Sequence, residues 1–263
     1  MQVNLKDQVA MVTGGAQGIG EAIVQSLCAN GARVAIVDID GDTARQTARR
    51  LQSAPADVAA FEADVSDRTA IDDVVSHIAD RFGAIGILIN NAGINSLNRA
   101  PIHEYSPEVW EEIVRVDLTG LFITSQAVVP NMLAGGGGRI VNIASVAGMV
   151  PLRLQSGFVA AKAGAINLTR SMALELGPQG ILVNAVAPGS TLTRGTEALF
   201  YGADGKFTEN TESLLSHIPL GRPARVEEIA HAVLFLAAPE SSYVNGAVLT
   251  VDGGWTAGYT RDW

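Results

Sequence analysis

Residues Val9 to Gly20 read VAMVTGGAQGIG, a short apolar run that leads directly into a glycine-rich turn, and a segment of helical period follows. Glycines at such a turn let the backbone approach a pyrophosphate. Free N–H groups and the positive end of the helix dipole stabilise its charge. The spacing of Gly14, Gly18 and Gly20 departs from G-x-G-x-x-G, so a plain tight turn remains the alternative for this stretch alone.

Outward from this turn, short β-branched runs alternate with longer helical segments along the chain. Strands are predicted at Val9–Val12, Arg33–Val37, Val58–Glu62, Ile87–Ile89, Gly138–Ile143, Leu182–Val186 and Ala247–Val251. Helices are predicted near residues 18–29, 41–52, 67–81, 106–132, 156–176 and 226–237. The pattern predicts an α/β fold, a doubly wound, parallel, seven-stranded sheet with helices on both faces, whose ligands collect beyond the carboxyl ends of the strands.

Composition limits the class of protein. The 263 residues contain no linker or repeat, so we expect one domain over residues 1–263. The chain has 18 Lys and Arg against 27 Asp and Glu, a net charge of -9, which gives no basic face for nucleic acid.

The N-terminus does not read as a signal peptide, and the apolar runs at 84–89 and 230–238 are too short to cross a membrane, so we expect a cytoplasmic protein without a membrane partner. The only cysteine, Cys28, is expected to be a small buried apolar residue.

An acidic residue ends the second predicted strand. Asp38 lies about 20 residues after the glycine turn, where a carboxylate accepts hydrogen bonds from an adenosine ribose. The same charge repels a 2′-phosphate, so this position favours NAD over NADP. A helix cap is the alternative role for Asp38.

Two further motifs follow the third and fourth strands, Asp64-Val65 and Asn90-Asn91-Ala92-Gly93. With the glycine turn and Asp38, they make the chain resemble the short-chain dehydrogenase/reductase family over nearly its whole length. That family's T-G-x-x-x-G-x-G pattern is matched from Thr13 to Gly20. The resemblance implies a Rossmann-like fold and NAD as cofactor.

The resemblance also implies which residues contact that cofactor. Asp64 and Val65 are expected against the adenine, and the segment after Pro188 against the nicotinamide carboxamide. The full set of expected cofactor contacts is Gly14, Gln17, Gly18, Ile19, Gly20, Asp38, Ile39, Asp64, Val65, Asn91, Ala92, Gly93, Lys162, Pro188, Gly189, Thr191 and Thr193.

The family's catalytic set is an Asn, a Ser, a Tyr and a Lys, with the last two spaced Y-x-x-x-K on one helix face. Ser145 and Lys162 match the serine and the lysine. The tyrosine position is Phe158, which has no titratable proton, and the asparagine position is Asp117. The resemblance implies that Ser145 binds the substrate oxygen and that Lys162 binds the nicotinamide ribose and lowers the pKa of a tyrosine. Phe158 keeps the ring and loses that chemistry.

Three explanations of this departure remain open. In the first explanation, the natural enzyme has tyrosine at position 158 and this chain carries a deliberate Tyr→Phe change, which leaves an impaired catalyst. Alternatively, the chain is a natural pseudoenzyme that holds NAD for a regulatory or structural purpose. In the third explanation, Asp117 or a water replaces the phenol.

The substrate is less clearly indicated. In the family, the segment after Pro188-Gly189 forms a lid over the substrate, which places a lid near residues 190–220 here. Asn95, Arg153 and Gln155 are expected to donate hydrogen bonds near Ser145, which indicates a small polyol, sugar or hydroxy-ketone. The four histidines have no paired spacing, so no metal site is expected.

Family members are commonly tetramers built through the long helices that match 106–132 and 156–176 and through the C-terminal strand. The resemblance therefore implies a homotetramer. The tail from Trp255 to Trp263, which holds three aromatic residues, is expected to pack on a neighbouring subunit.

Overall fold

The computed structural model describes residues 2–52, 57–94, 99–202 and 204–258. Its strands are β1 Val9–Thr13, β2 Arg33–Asp38, β3 Val58–Glu62, β4 Ile87–Asn90, β5 Gly138–Ile143, β6 Ile181–Pro188, β7 Thr191–Leu192, β8 Ala224–Arg225 and β9 Val248–Val251. Its helices are α1 Gly18–Ala29, α2 Gly41–Leu51, α3 Arg68–Phe82, α4 Pro107–Val114, α5 Leu121–Ala134, α6 Ser156–Leu176, α7 Arg194–Phe200, α8 Glu209–Leu215 and α9 Val226–Ala237.

Seven of these strands form one parallel sheet in the order β3-β2-β1-β4-β5-β6-β9. The order reverses between β1 and β4, which pair in register from Ala10 opposite Ile87 to Val12 opposite Ile89. Crossovers on the two sides of this point put helices on opposite faces and leave a crevice at the strand ends. The doubly wound α/β fold predicted from the sequence is confirmed.

Both faces of the sheet are buried, as the apolar strands require. In β1, Ala10 and Val12 point into a core shared with α1 and α9, whereas Val9 and Met11 point into a core shared with α3, α5 and α6. Alternation of side chains along a strand sends neighbouring residues to opposite faces, so a continuous apolar run serves two cores.

Short polar side chains begin several of the helices. Asp40 accepts a hydrogen bond from the Thr43 N–H at the start of α2, and Asp67 accepts one from the Ala70 N–H at the start of α3. Each carboxylate satisfies a backbone donor that has no partner within the helix. These caps fix where the helices after β2 and β3 begin.

The helix predicted near 106–132 differs from the expectation in one respect. It is interrupted at Arg115–Gly120 by a π-helical segment that joins α4 to α5. The wider turn carries Asp117, which is buried. Such segments are frequent at functional sites, and hydrophobic period alone cannot locate them.

The segment after β6 contains elements that the sequence reading did not predict. The short helices α7 and α8 occupy part of it, and β7 pairs with β8 apart from the main sheet. Runs of two strand residues and seven helical residues are too short to give a clear period. A lid near 190–220 stays a prediction.

Two further expectations concern burial. Cys28 is buried, and burial raises the pKa of its thiol to about 12. The apolar runs at 84–89 and 230–238 are short, but the helical stretch Pro107–Ala134 is, by length and composition alone, long and apolar enough to cross a membrane. In the fold, α4 packs against α6 and α5 packs against α3. A helix packed in the layers of an α/β domain has the same composition.

Candidate active site and cofactor cleft

The glycine turn after β1 has a backbone that only glycine accepts easily. Gly14 and Gly18 have φ angles of 60° and 59°, in the left-handed region. A Cβ on Gly14 would lie 2.8 Å from the Cα of Ala92, so this glycine allows close packing of the turn on the segment after β4. A Cβ on Gly18 would lie 3.6 Å from the side chain of Thr193, an ordinary contact, so the positive φ angle rather than crowding favours glycine here.

Asn91 joins the ends of β4 and β1. Its side-chain Nδ2 donates to the carbonyl oxygens of Thr13 at 3.0 Å and Gly14 at 2.8 Å. In return, the Thr13 hydroxyl accepts from the backbone N–H groups of Asn91 at 3.0 Å and Ala92 at 3.1 Å. The crevice at the point of strand reversal is therefore held by hydrogen bonds on both sides.

Asp38 closes the same turn from β2. Its Oδ2 accepts from the Ala16 N–H at 3.0 Å, and its Oδ1 accepts from the Asp40 N–H at 3.1 Å. Each oxygen keeps a further lone pair, since an ionised carboxylate offers about four acceptor positions. Asp38 can therefore hold the turn and still accept hydrogen bonds from a sugar.

A cavity of about 430 Å³ lies over these strand ends. Expected cofactor residues that line it are Gly14, Gln17, Gly18, Ile19, Gly20, Asp38, Ile39, Asp64, Val65, Asn91, Ala92, Gly93 and Thr193. Glu112, Arg115 and Arg194 also line this cavity and were not singled out from the sequence, because no local motif marks them.

Asp64 is fixed at the wall of this cavity. Its Oδ1 accepts from the Ser66 N–H at 2.9 Å, and its Oδ2 lies 2.8 Å from the guanidinium of Arg115. Burial by itself raises the pKa of Asp64, but the hydrogen bonds from Ser66 and the contact with Arg115 outweigh it and lower the pKa. This wall of the cavity keeps a charged ion pair.

A second cavity, of about 770 Å³, adjoins the first, and Ile19, Asn91, Gly93, Ile94 and Thr193 line both. It brings together the expected residues Asp117, Ser145, Arg153, Gln155, Phe158, Lys162, Pro188, Gly189, Thr191 and Thr193. Arg99, Phe200, Thr211 and Trp255 line it as well and were missed or given another role. Asn95 lies outside the described residues.

A buried ion pair forms part of the wall of the second cavity. Lys162 Nζ lies 3.0 Å from Asp117 Oδ2, and the two side chains are 7% and 1% exposed. Nζ also donates to the Ile143 carbonyl at 3.2 Å and lies 5.6 Å from the centroid of the Phe158 ring. The ammonium is thus held between a carboxylate, a carbonyl and an aromatic face.

The π-helical segment positions this carboxylate. Asp117 Oδ1 accepts from the Ile94 N–H at 2.7 Å. Oδ2 accepts no hydrogen bond of good geometry from a described residue, so its interaction with Nζ is mainly electrostatic. The side chain is 1% exposed, so the Asp117 carboxylate is held at the cavity wall by Ile94 and Lys162.

Local hydrogen bonds occupy several other expected site residues. The Ser145 hydroxyl accepts from the Ala147 N–H at 3.1 Å and keeps its own proton available. Thr193 caps α7 by accepting from the Thr196 N–H at 3.2 Å, and the Thr191 hydroxyl donates to the Gly189 carbonyl at 3.1 Å. The Thr193 N–H also donates to the Thr196 hydroxyl at 2.8 Å, so among these groups the Ser145 hydroxyl is the one that keeps a proton for the cavity.

The residues present fit a dinucleotide. The glycine turn at the start of α1, the carboxylate of Asp38 and two adjoining cavities along the strand ends offer groups that suit a phosphate, a ribose and a ring. Among the described residues, no group of three or more His, Cys, Asp or Glu side chains is arranged to hold a metal ion.

Comparison with known proteins gives the family. The sequence model of a family described as Enoyl-(Acyl carrier protein) reductase matches residues 14–256. The chain belongs to the short-chain dehydrogenase/reductase family, whose members are oxidoreductases.

Three relatives illustrate the range of the family. The chain is 39% identical to trans-4-hydroxycyclohexanecarboxylate dehydrogenase of Sinomonas cyclohexanicum, over 96% of this chain and 94% of that protein. It is 38% identical to sorbitol dehydrogenase of Cereibacter sphaeroides, over 96% and 98%. It is also 38% identical to 3-oxoacyl-[acyl-carrier-protein] reductase of Thermotoga maritima, over 96% and 99%.

Proposed function

We propose that this chain is an NAD(H)-dependent oxidoreductase that transfers a hydride between the nicotinamide and a secondary alcohol or ketone. The observation that carries the proposal is that Ser145, Phe158 and Lys162 line one cavity, which adjoins the cavity over the glycine turn. The relatives named above include a sorbitol and a hydroxycyclohexanecarboxylate dehydrogenase, which supports an alcohol carbon as the reacting centre. A small polyol, sugar or hydroxy-ketone remains the substrate class expected from the sequence.

The proposed cofactor residues divide by position. Gly14, Gly18 and the start of α1 take the pyrophosphate, Asp38 takes the adenosine ribose, and Asp64-Val65 border the adenine. Lys162 and the backbone after Pro188 take the nicotinamide end. When bound, the nicotinamide supplies the hydride acceptor or donor.

The substrate end of the site has a hydroxyl that can bind the substrate oxygen, but it lacks the family's usual acid/base residue. The Ser145 hydroxyl keeps a proton to donate to the substrate oxygen. Phe158 offers no proton, and the Asp117 carboxylate is buried behind Lys162. Since positioned acid/base groups contribute on the order of 10²- to 10⁴-fold in rate, we infer an impaired catalyst.

A second candidate function comes from the same two positions. Phe158 and Asp117 both depart from the family's catalytic set, while the residues proposed to hold NAD are retained. An NAD-binding pseudoenzyme with a regulatory or structural role is therefore the alternative.

The setting proposed for this activity follows the sequence expectations. We propose a cytoplasmic homotetramer whose partner is a small-molecule substrate, with no nucleic acid and no membrane involved. The acidic balance of the chain, a net charge of -9, supports the exclusion of nucleic acid.

The proposal is tested by measuring NAD binding and turnover together. Calorimetry with NAD comes first, followed by NADH absorbance with secondary alcohols, polyols, sugars and hydroxy acids, for this chain and for Phe158→Tyr. Ser145→Ala in each background is the matched control and should abolish the measured turnover. Binding of NAD with no turnover in either chain on any of these compounds would favour the pseudoenzyme. Absence of NAD binding would refute both candidates.

A further inference from the structure

The charged groups that line the second cavity do not balance. Asp117 is the only carboxylate among its described lining residues, whereas Arg99, Arg153 and Lys162 are cations. Asp117 and Lys162 neutralise one another at 3.0 Å. Arg99 and Arg153, both exposed residues, therefore have no carboxylate to balance them among the lining residues that the structure describes, in a protein whose net charge is -9.

Those two arginines lie on neighbouring segments. The residues that follow them are joined by a hydrogen bond from the Ala100 N–H to the Leu154 carbonyl at 3.2 Å. Neither guanidinium forms an ion pair or a hydrogen bond with any residue that the structure describes. A pair of arginines at one cavity wall, with no partner among the described residues, is an arrangement that recognises a carboxylate, because each guanidinium can donate two parallel hydrogen bonds.

The backbone next to Arg153 adopts a strained conformation at the cavity wall. Leu154 has a φ angle of 66°, a left-handed conformation that leucine rarely adopts. Residues in such conformations persist where the surrounding structure holds them, and they cluster at binding sites. Here the strained residue separates two cavity-lining side chains, Arg153 and Gln155.

Gln155 adds an independent observation. Its side chain is only 8% exposed, lines the cavity, and makes no hydrogen bond to a described residue. It also precedes the 21-residue helix α6 without capping it, so first-turn N–H groups of α6 lack a side-chain partner. An unpaired amide donor at the cavity wall and the positive end of a long helix both favour an anion at this place.

We infer that the substrate carries a carboxylate, which binds to Arg99, Arg153 and Gln155 while its alcohol carbon lies toward Ser145. This inference rests on the proposed function and replaces the neutral polyol or sugar with a hydroxy acid or its oxo acid. The carboxylate anchors the molecule and is not changed in the reaction. Its negative charge offsets the two guanidinium charges, which a neutral polyol cannot do.

The test is a binding measurement, so it does not depend on turnover. Acetate, butyrate and cyclohexanecarboxylate are each titrated by calorimetry into the NAD-loaded protein, and each is compared with its neutral amide. The best carboxylate should bind at least tenfold more tightly than its amide, and this preference should shrink as salt is raised. Equal binding of acid and amide for all three pairs overturns the inference.

Variants assign the effect to the residues. Arg153→Met and Arg99→Met should each weaken binding of the best carboxylate about tenfold or more and leave its amide unaffected. Arg170→Met removes an exposed arginine of α6 outside both cavities and is the matched control. Unchanged carboxylate binding in both cavity variants overturns the inference, as does an equal loss in the control.

The two proposals fail in different ways. If the carboxylate binds through the arginines but neither this chain nor Phe158→Tyr oxidises any hydroxy acid, the subsite stands and the dehydrogenase function fails. If turnover occurs on neutral polyols with no preference for acids, the dehydrogenase function stands and the subsite fails.

Discussion

Asp117 Oδ2 lies 3.0 Å from Lys162 Nζ, and the ring centroid of Phe158 lies 5.6 Å from the same Nζ. The two positions at which this chain departs from the family's catalytic set are therefore in contact with one ammonium group. In a site with tyrosine, the anion beside that ammonium is the phenolate. Here the anion beside the ammonium is the Asp117 carboxylate. Positions 117 and 158 therefore act on the same Lys162 charge and should be tested together.

Phe158→Tyr should raise turnover by about 10²- to 10⁴-fold, because it restores a group able to exchange a proton with the substrate. With Asp117 in place, two potential anions compete for Lys162, and activity should require a higher pH. Adding Asp117→Asn should lower the midpoint of the pH–rate profile by roughly 1 unit or more. Ultraviolet titration of the introduced phenol should show the same displacement without any substrate.

The control for this pair is Asp72→Asn, which removes an exposed carboxylate on α3 that pairs only with Arg68 among described residues. It should leave the midpoint of Phe158→Tyr unchanged. Identical midpoints with and without Asp117→Asn would show that the carboxylate does not act on the introduced group.

The buried ion pair also contributes to stability. Lys162→Met should lower the free energy of unfolding by about 3 to 5 kcal/mol, because it leaves the Asp117 carboxylate buried without a counter-charge. The double variant Lys162→Met/Asp117→Leu should recover most of that loss, since no charge is then left alone. Urea unfolding of the unchanged chain, Lys162→Met, Asp117→Leu and the double variant measures the coupling, and simple additivity of the two single losses would contradict it.

Cofactor preference should depend on Asp38. NAD should bind far more tightly than NADP, because the carboxylate at the turn repels a 2′-phosphate. Asp38→Asn should relax that preference and keep an acceptor oxygen for the Ala16 N–H. Calorimetry with both cofactors decides the point, and equal affinities in the unchanged chain would remove Asp38 from the ribose site.

Acid stability should depend in part on Glu228. Its carboxylate accepts from the Arg222 guanidinium at 2.7 and 2.8 Å and from the Arg225 N–H at 2.8 Å, and these contacts lower its pKa from 4.5 to about 2. The stability they provide is complete above about pH 4.5 and is lost as the pH falls toward 2.

Glu228→Gln should therefore lower the free energy of unfolding by about 1 kcal/mol at pH 7. The difference from the unchanged chain should shrink steadily between pH 4.5 and pH 2. Glu227→Gln, in the same first turn of α9 and exposed, is the control and should change stability little at any pH. A constant difference at all pH values would contradict the assignment.

The assembly is predicted to be a homotetramer. Several large apolar side chains are exposed on the single chain, among them Phe122 of α5 and Leu174 of α6, on the long helices expected to form interfaces. Trp255, expected in an intersubunit tail, lines the second cavity of its own chain, and Tyr259 and Trp263 lie outside the described residues. Light scattering coupled to size-exclusion chromatography measures the mass, and a monomer would refute the prediction.

The sequence by itself determined the sheet and the cofactor turn. Apolar runs buried on both faces give strands that are clear from composition, and the step from β1 to α1 is marked by glycines whose conformations other residues resist. The starts of α2 and α3 depend equally on nearby residues, since the capping side chains of Asp40 and Asp67 bind backbone groups within the first turn of each helix. These features depend on neighbours in the chain, and a single sequence records them directly.

Tertiary structure decided how the charges of the second cavity are paired. The resemblance put Asp117 and Lys162 in one catalytic set, but only the fold, with its π-helical turn, shows the carboxylate 3.0 Å from the ammonium. Arg99 lines the same cavity as Arg153 and Gln155, and a hydrogen bond between Ala100 and Leu154 joins the two segments that carry them. These segments share no sequence motif. Charge balance in a cavity depends on side chains that converge from distant segments, and no local period or spacing encodes that convergence.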